Sequence, residues 1–348
     1  MQLEEKIKLF KDVFAPKSNE TVLFLVDTPH GEIKDNKKWL DRRKMAKEWY
    51  DIFKKMGEEN NFSVNLLEFD TVGVHNAKLP KDIYNEAKKS NLIIAMTEYS
   101  ASYALLSLVK EKNNISRCAS MPIVEKRMED TALKANIKDV QKYALSIEKY
   151  LNKAIAAEVL FSTGDKLFID LRNRIAMADY PKCTVLGDAC NLPSGEGCIA
   201  PYEAVEDENE KYGKSKTSGK WPVKYIDEHV IFKVDNNKVT DVIGKGKNAE
   251  KMKKFFSENS SRTNVAELGI GCNPNAVITG NLLEDEKVGL HIAYGTSTHL
   301  NGKVQSDTHI DIVYAKGCPI EGVSVDLFNA DGSKTRIIEN SELRYNIL

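Results

Sequence analysis

The sequence predicts an α/β protein in two parts: an open, mainly parallel α/β sheet over residues 1–155 and a β-rich α+β domain over residues 156–348, the second carrying a candidate metal-binding centre. Three observations lead there. Apolar, β-branched runs alternate with helix-spaced segments through the first third of the chain, the pattern of strands joined by right-handed helical crossovers. After about residue 155 this alternation gives way to strand-like stretches broken by Gly and Pro. With 348 residues the chain exceeds an ordinary domain of roughly 100–200 residues, so each part can bury its own core.

Taken in order, residues 1–18 read as an amphipathic helix, and ETVLFLVDTP as a buried parallel strand opening into a loop at Thr-Pro. Trp39, Met45, Trp49, Ile52 and Met56 recur at helical spacing between Lys37 and Asn60. FSVNLLEFD, SNLIIAMTEYS and ISRCASMP are the next strands, separated by helical stretches at Asp82–Lys89 and in YALLSLVKEKNN. No G-x-G-x-x-G follows the first strand and no G-x-x-x-x-G-K-[ST] occurs, so dinucleotide and P-loop chemistry lack their fingerprint. Residues 123–162 read as helical, and TGDKLFIDLRNR and CTVLGDACNLPSGEGCIAPYEA as interrupted strands. The polar, Gly/Ser/Lys-rich stretch 206–228 reads as a surface insertion or mobile loop. HVIFKVDNNKVTDVIG reads as a hairpin, KNAEKMKKFFSENS as an amphipathic helix, and GVSVDLFNADGSKTRIIE as a second hairpin with an Asp-Gly turn.

Composition removes several functions. A net charge of -1 provides no basic field for nucleic acid or anionic membrane. No apolar run approaches the ~18 residues of a membrane span, and the amphipathic start lacks the apolar centre of a signal peptide. A cytoplasmic location is therefore expected. The six cysteines are scattered without a C-x-x-C pair, which in a reducing compartment favours free, buried thiols.

Chemistry concentrates between Asn264 and Val313. Glu267, His291, His299, His309 and Asp311 fall there, three of the chain's six histidines among them. Carboxylate and imidazole are the ligand set of catalytic divalent metals. His309 and Asp311 sit two apart in THIDIV, and residues i and i+2 of a strand share a face. Glu267 interrupts an apolar strand, VAELGIG, where an ionised carboxylate is expensive to bury unless paired or metal-bound. His291 or His309 alone is more often a hydrogen-bonded core residue than a ligand; together with the carboxylates on adjacent strand patterns they point to a metal. Glu196 closes the sharp turn NLPSGE, where a carboxylate is either a solvated loop residue or a ligand. The LEDEK run at 283–287 reads as a charged turn able to orient a ligand. Cys190, Cys198 and Cys272 lie near these segments as thiolate ligands or buried small hydrophobes. His30, His75 and His229 belong to no motif.

NLPSGE followed by AP, then AELGIGCNPNA, NLLEDEKVGLHIAYG and THIDIV, resemble the successive motifs of the aminopeptidase T / aminopeptidase S family of metallo-aminopeptidases; TEYSASYALLSL and ISRCASMP are similar to its first-domain segments. The resemblance spans roughly residues 20–315 and is strongest over 185–201 and 264–313. It implies two divalent ions, Zn2+ or Co2+, on Glu196, Glu267, His291, His309 and Asp311, with a bridging water. It further implies removal of N-terminal residues from small peptides, and a homodimer. Where the family carries an assisting tyrosine, seven residues after His291, this chain has Thr298, with His299 beside it. Glu196, Thr298 and His299 are the candidate catalytic residues. Shorter relatives of the fold are 2,5-dihydroxypyridine dioxygenases, small-molecule enzymes that hold one Fe2+ with Glu, His and Asp. Glu267, His309 and Asp311 fit that triad, although Tyr103 stands where those enzymes carry a histidine and His291 is left over; Thr298 also admits a third reading, a metal-binding homologue without peptidase activity.

Overall fold

The computed structural model describes residues 1–348. It contains a parallel α/β sheet and two antiparallel sheets, so the predicted fold class holds. Contacts divide the chain into two compact units. The first comprises Met1–Gln141, Tyr180–Ser194 and Pro274–Val277; the second comprises Lys142–Asp179, Gly195–Asn273 and Ile278–Leu348.

In the first unit a five-stranded, all-parallel sheet has the order Ser63–Asp70, Thr21–Thr28, Leu92–Ala95, Arg117–Ser120, Ala189–Asn191. Two of its inner strands, Thr21–Thr28 and Leu92–Ala95, carry apolar runs because helices cover both faces of such sheets. Leu23, Leu25, Ile93, Ala95 and Leu105 form part of one core cluster. Arg117 is tolerated in the sheet because every face of its guanidinium is used: it donates to Cys183 O, Phe14 O and both oxygens of Glu20. A single boundary near residue 155 leaves out the return of residues 180–194. That return follows from a backbone ladder, Cys118–Ser120 against Ala189–Asn191, which no side-chain pattern announces.

In the second unit an eight-stranded antiparallel sheet runs Lys238–Ile243, His229–Asp235, Ser218–Lys224, Lys166–Asp170, Ala154–Phe161, Gly322–Asn329, Lys334–Glu339, Glu342–Leu343. Two expectations change here. Residues 206–228 are not a loop insertion: Glu206–Tyr212 is a helix and Ser218–Lys224 an interior strand. The apolar core of that strand is only Trp221-Pro222-Val223, all buried, with the Trp221 indole donating to Tyr314 Oη at 2.6 Å. Its polar flanks masked it. Nor is 123–162 one helix, for Ile137–Lys153 is helical and Ala154–Phe161 is a strand beginning directly at its end.

The third sheet, also antiparallel, has the order His309–Val313, Leu290–Gly295, Val265–Gly271, Glu196–Ile199, Met177–Asp179. Its middle strands are buried along their whole length. No helix is long and apolar enough to cross a membrane.

Candidate metal centre

The register of the third sheet gathers the predicted donors. Glu196 lies opposite Gly271, His291 opposite Gly269, Glu267 opposite Ala293, Asp311 opposite Ala293 from the other side, and His309 opposite Gly295. Paired residues share a face and side chains alternate along a strand, so Glu196, Glu267, His291, His309 and Asp311 all project from one face. The positions between them on that face are Gly269, Gly271, Ala293 and Gly295. These small residues leave the room the donors need. A Cβ on Gly269 would stand 1.9 Å from His291 Nε2, so the imidazole lies across the strand only because that position has no side chain.

The donor atoms converge. His291 Nε2 lies 3.2 Å from Glu196 Oε2 and 3.4 Å from Glu267 Oε1; His309 Nε2 lies 3.1 Å from Glu267 Oε2 and 3.4 Å from Asp311 Oδ1. Glu267 thus turns one oxygen to each histidine. The opposite ring nitrogens face carbonyls: His309 Nδ1 is 2.7 Å from Thr296 O and His291 Nδ1 is 3.4 Å from Gly289 O. With Nδ1 carrying the hydrogen, each Nε2 points at carboxylates either as a protonated donor or as a lone pair requiring a cation between them. Donors about 2.1 Å from one tetrahedral ion stand about 3.4 Å apart, which matches these separations. The residues therefore fit a divalent cation. Two groups have donor atoms close enough to share one, Glu196–Glu267–His291 and Glu267–His299–His309, and Glu267 is common to both.

In the metal-free chain, protons fill this role. Burial works against charge on both histidines. The carboxylates outweigh it, Glu196 and Glu267 at His291 and Asp311 and Glu267 at His309, and hold both pKa values well above the ordinary range. Burial pushes Glu267 up, but its bonds to His291 and His309 bring it well below the usual carboxylate value. Burial also lifts Glu196, and Lys287 and His291 pull it back below.

His299 and Thr298 differ. The His299 ring stands edge-on to His309, centroids 4.6 Å apart, and burial, followed by the charge on His309, pushes it down to about 4. It is a neutral imidazole at neutral pH and has no proton to give as an acid. Thr298 is exposed and its hydroxyl bonds to Gln305 Oε1 at 3.1 Å and lies 3.3 Å from Thr296 Oγ1, so its predicted catalytic role finds no support in its contacts. Tyr294 points to the opposite face, into an aromatic cluster with Phe255 and Phe256. Burial raises the thiols of Cys198 and Cys272, which leaves them protonated and favours their reading as small hydrophobes.

The LEDEK run, read from sequence as a charged turn able to orient a ligand, supplies two neighbours of the centre, and Glu203, which no sequence pattern marked, supplies a third. Lys287 is fully buried, its ammonium 2.8 Å from Glu196 Oε1 and 2.9 Å from Glu286 Oε1. Glu286 is pushed up to about 8 by burial, opposed by Lys287 and assisted by the charges of Glu196 and Asp311. Glu203 accepts hydrogen bonds from Lys303 N at 2.6 Å, Val304 N at 3.3 Å, Asn264 Nδ2 at 3.0 Å and the Ser297 hydroxyl. It thereby pins the loop that bears His299. A signal for the donor face did exist on the two central strands, where glycine or alanine follows two residues after the donor, as in Glu267-x-Gly269 and His291-x-Ala293.

No family model and no curated protein matches this chain. Solved structures do. Wild-type AmpT from Thermus thermophilus, an aminopeptidase T, superposes with a TM-score of 0.65 at 14% identity, covering 98% of this chain and 98% of its own. The 2,5-dihydroxypyridine dioxygenase from Pseudomonas putida KT2440 gives 0.66 at 14% identity, covering 99% of this chain and 98% of its own. The chain shares their fold. Both neighbours are enzymes, of different reaction classes, and the relationship to aminopeptidase T is a distant one of fold.

Proposed function

We propose that this chain is a metal-dependent hydrolase of aminopeptidase type, holding two divalent ions, Zn2+ or Co2+, on Glu196, Glu267, His291, His309 and Asp311. The observation that carries the reading is Glu267, which offers one oxygen toward His291 and the other toward His309 and so belongs to two donor groups at once. A pair of ions in such a site supplies an activated water near neutral pH and polarises a substrate carbonyl. The chain's own residues do the rest. Glu196 completes the first donor group; in the second, His299 stands with Glu267 and His309, and Asp311 adds a carboxylate 3.4 Å from His309 Nε2. The Nδ1 contacts with Gly289 O and Thr296 O aim both imidazoles inward. His299, neutral and half-buried at the edge of the centre, would hydrogen-bond the reacting carbonyl; a neutral imidazole can act as an electrophile without delivering a proton. The expected substrate is a small peptide with a free N-terminus, and the family resemblance adds a homodimer.

A second reading, a mononuclear Fe2+ ring-cleaving dioxygenase on Glu267, His309 and Asp311, draws on the equal fold likeness to the Pseudomonas enzyme. It leaves Glu196 and His291 converging on Glu267 without a purpose. Metal analysis of protein purified without chelators, paired with two assays, separates the readings. About two Zn2+ or Co2+ per chain with release of p-nitroaniline from an aminoacyl-p-nitroanilide supports the hydrolase. One iron per chain with oxygen uptake on 2,5-dihydroxypyridine replaces it with the dioxygenase.

A further inference from the structure

We propose that Lys287 is an internal cation that makes the two halves of the centre unequal, weakening divalent-ion binding at the Glu196–His291 half and leaving the His309–Asp311 half as the high-affinity position. This rests on the two-ion reading.

Lys287 is held where it is by backbone. Its N–H donates to Glu284 O at 3.0 Å and its carbonyl accepts from Asn273 N at 2.9 Å. The segment passes so close to Val265–Gly271 that a Cβ on Gly271 would lie 2.3 Å from Glu286 O and 2.4 Å from the Lys287 carbonyl carbon. From this position the ammonium, with no solvent exposure, reaches Glu196 Oε1 at 2.8 Å, Glu286 Oε1 at 2.9 Å and Asp179 Oδ2 at 3.7 Å.

Two consequences follow for the near half. Glu196 has one oxygen already engaged, so only Oε2 turns toward His291. A fixed positive charge also stands one carboxylate away from the place an ion would take, where like charges repel strongly in a water-poor interior. The far half has no such neighbour. Asp311 faces His309 Nε2 at 3.4 Å, and no lysine or arginine pairs with it. Glu267, shared by both halves, does not distinguish them. Glu286 and Asp179 offset part of the Lys287 charge, but the Glu196 oxygen that Lys287 holds is lost to an ion, whereas the far half has His299 as a further donor beside His309. This orders filling: His309–Asp311 first, Glu196–His291 second, the second ion being the exchangeable one.

The test is a titration of chelator-treated, metal-free protein with Co2+, followed by calorimetry and by Co2+ visible absorption. Two steps are expected, separated by roughly tenfold or more in affinity. His291→Ala should remove only the weaker step and Asp311→Ala only the stronger. Lys287→Met should tighten the weaker step by about tenfold and leave the stronger within about twofold. It should also lower the urea midpoint of the metal-free protein, where Glu196 and Glu286 lose their partner, and Co2+ should restore it. If Lys287→Met does not fold, the wild type with the His291 and Asp311 variants still decides. Two steps of equal affinity, or a weaker step removed by Asp311→Ala, overturn the role of Lys287 while leaving two ions in place. Absence of any Co2+ binding overturns the two-ion reading as well.

Discussion

Asp27 and Glu267 are both carboxylates buried in apolar strands, one in TVLFLVDT and the other in VAELGIG, yet their surroundings are opposite. Asp27 accepts from Glu98 N at 2.7 Å, Tyr99 N at 3.1 Å, Trp39 Nε1 at 3.0 Å and Thr71 Oγ1 at 3.3 Å. Every one of those donors carries its hydrogen at any ordinary pH. Glu267 faces the Nε2 atoms of His291 and His309, which carry a hydrogen only when the ring is protonated. A buried acid surrounded by permanent donors is a structural joint. A buried acid surrounded by conditional ones is a candidate cation site, because a proton or a metal must complete it.

That contrast can be broken most directly at Glu267. Glu267→Ala is expected to bring the metal content of the purified protein to near zero and to abolish turnover, since the residue serves both donor groups; full metal occupancy in the variant would sink the assignment. Asp27→Ala should do the reverse. Leaving the Glu98 and Tyr99 amides without an acceptor, while the Trp39 indole keeps the residue-27 carbonyl at 3.0 Å, is expected to cost about 3 kcal/mol in urea unfolding while metal content stays as in the wild type. A metal deficit there would erase the distinction between the two acids.

Acidity sharpens the comparison. His291 and His309 have folded pKa values raised above the ordinary 6.5, so their contribution to metal-free stability is full below about 6.5 and is lost as pH rises through the raised values. Glu267 is lowered from 4.5, so its contribution is present above about 4.5 and is lost as pH falls through the lower value. Metal-free protein should therefore be most stable between these limits and decline on the alkaline side. Saturating Zn2+ should remove the alkaline decline, because the ion replaces the protons. Urea midpoints between about pH 5 and 9, with and without Zn2+, check it; a decline that persists with Zn2+ would mean that protonation, and not a metal, completes the site.

The smallest effects are expected beside the centre. His299→Ala should lower turnover by roughly tenfold to a hundredfold with both ions retained, whereas Thr298→Ala should stay within about twofold. Loss of an ion in the His299 variant would instead make that ring a ligand.

Much of the donor set is legible in the amino-acid order alone, and for simple reasons. His309-x-Asp311 shows through the two-residue period of a strand, and Glu267 shows because nothing else in VAELGIG is polar. The parallel sheet shows through uninterrupted runs such as TVLFLV, which only double-sided burial explains. Other features have no such mark. Ser218–Lys224 hides behind polar flanks, and the return of Ala189–Asn191 to the first sheet is a matter of backbone pairing.

By itself, then, the sequence determined which residues alternate with which along each strand, and hence that acids and imidazoles share a face with glycines and alanines. It could not determine what stands opposite them. Lys287 lies in LEDEK, where every residue has the same claim to be solvated, and only the fold buries its ammonium between Glu196 and Glu286. Likewise Asp27 and Glu267 look alike in one dimension. Periodicity is a local property of the chain, whereas the donors that complete a buried carboxylate come from segments distant in sequence, and only tertiary packing brings them within hydrogen-bonding reach.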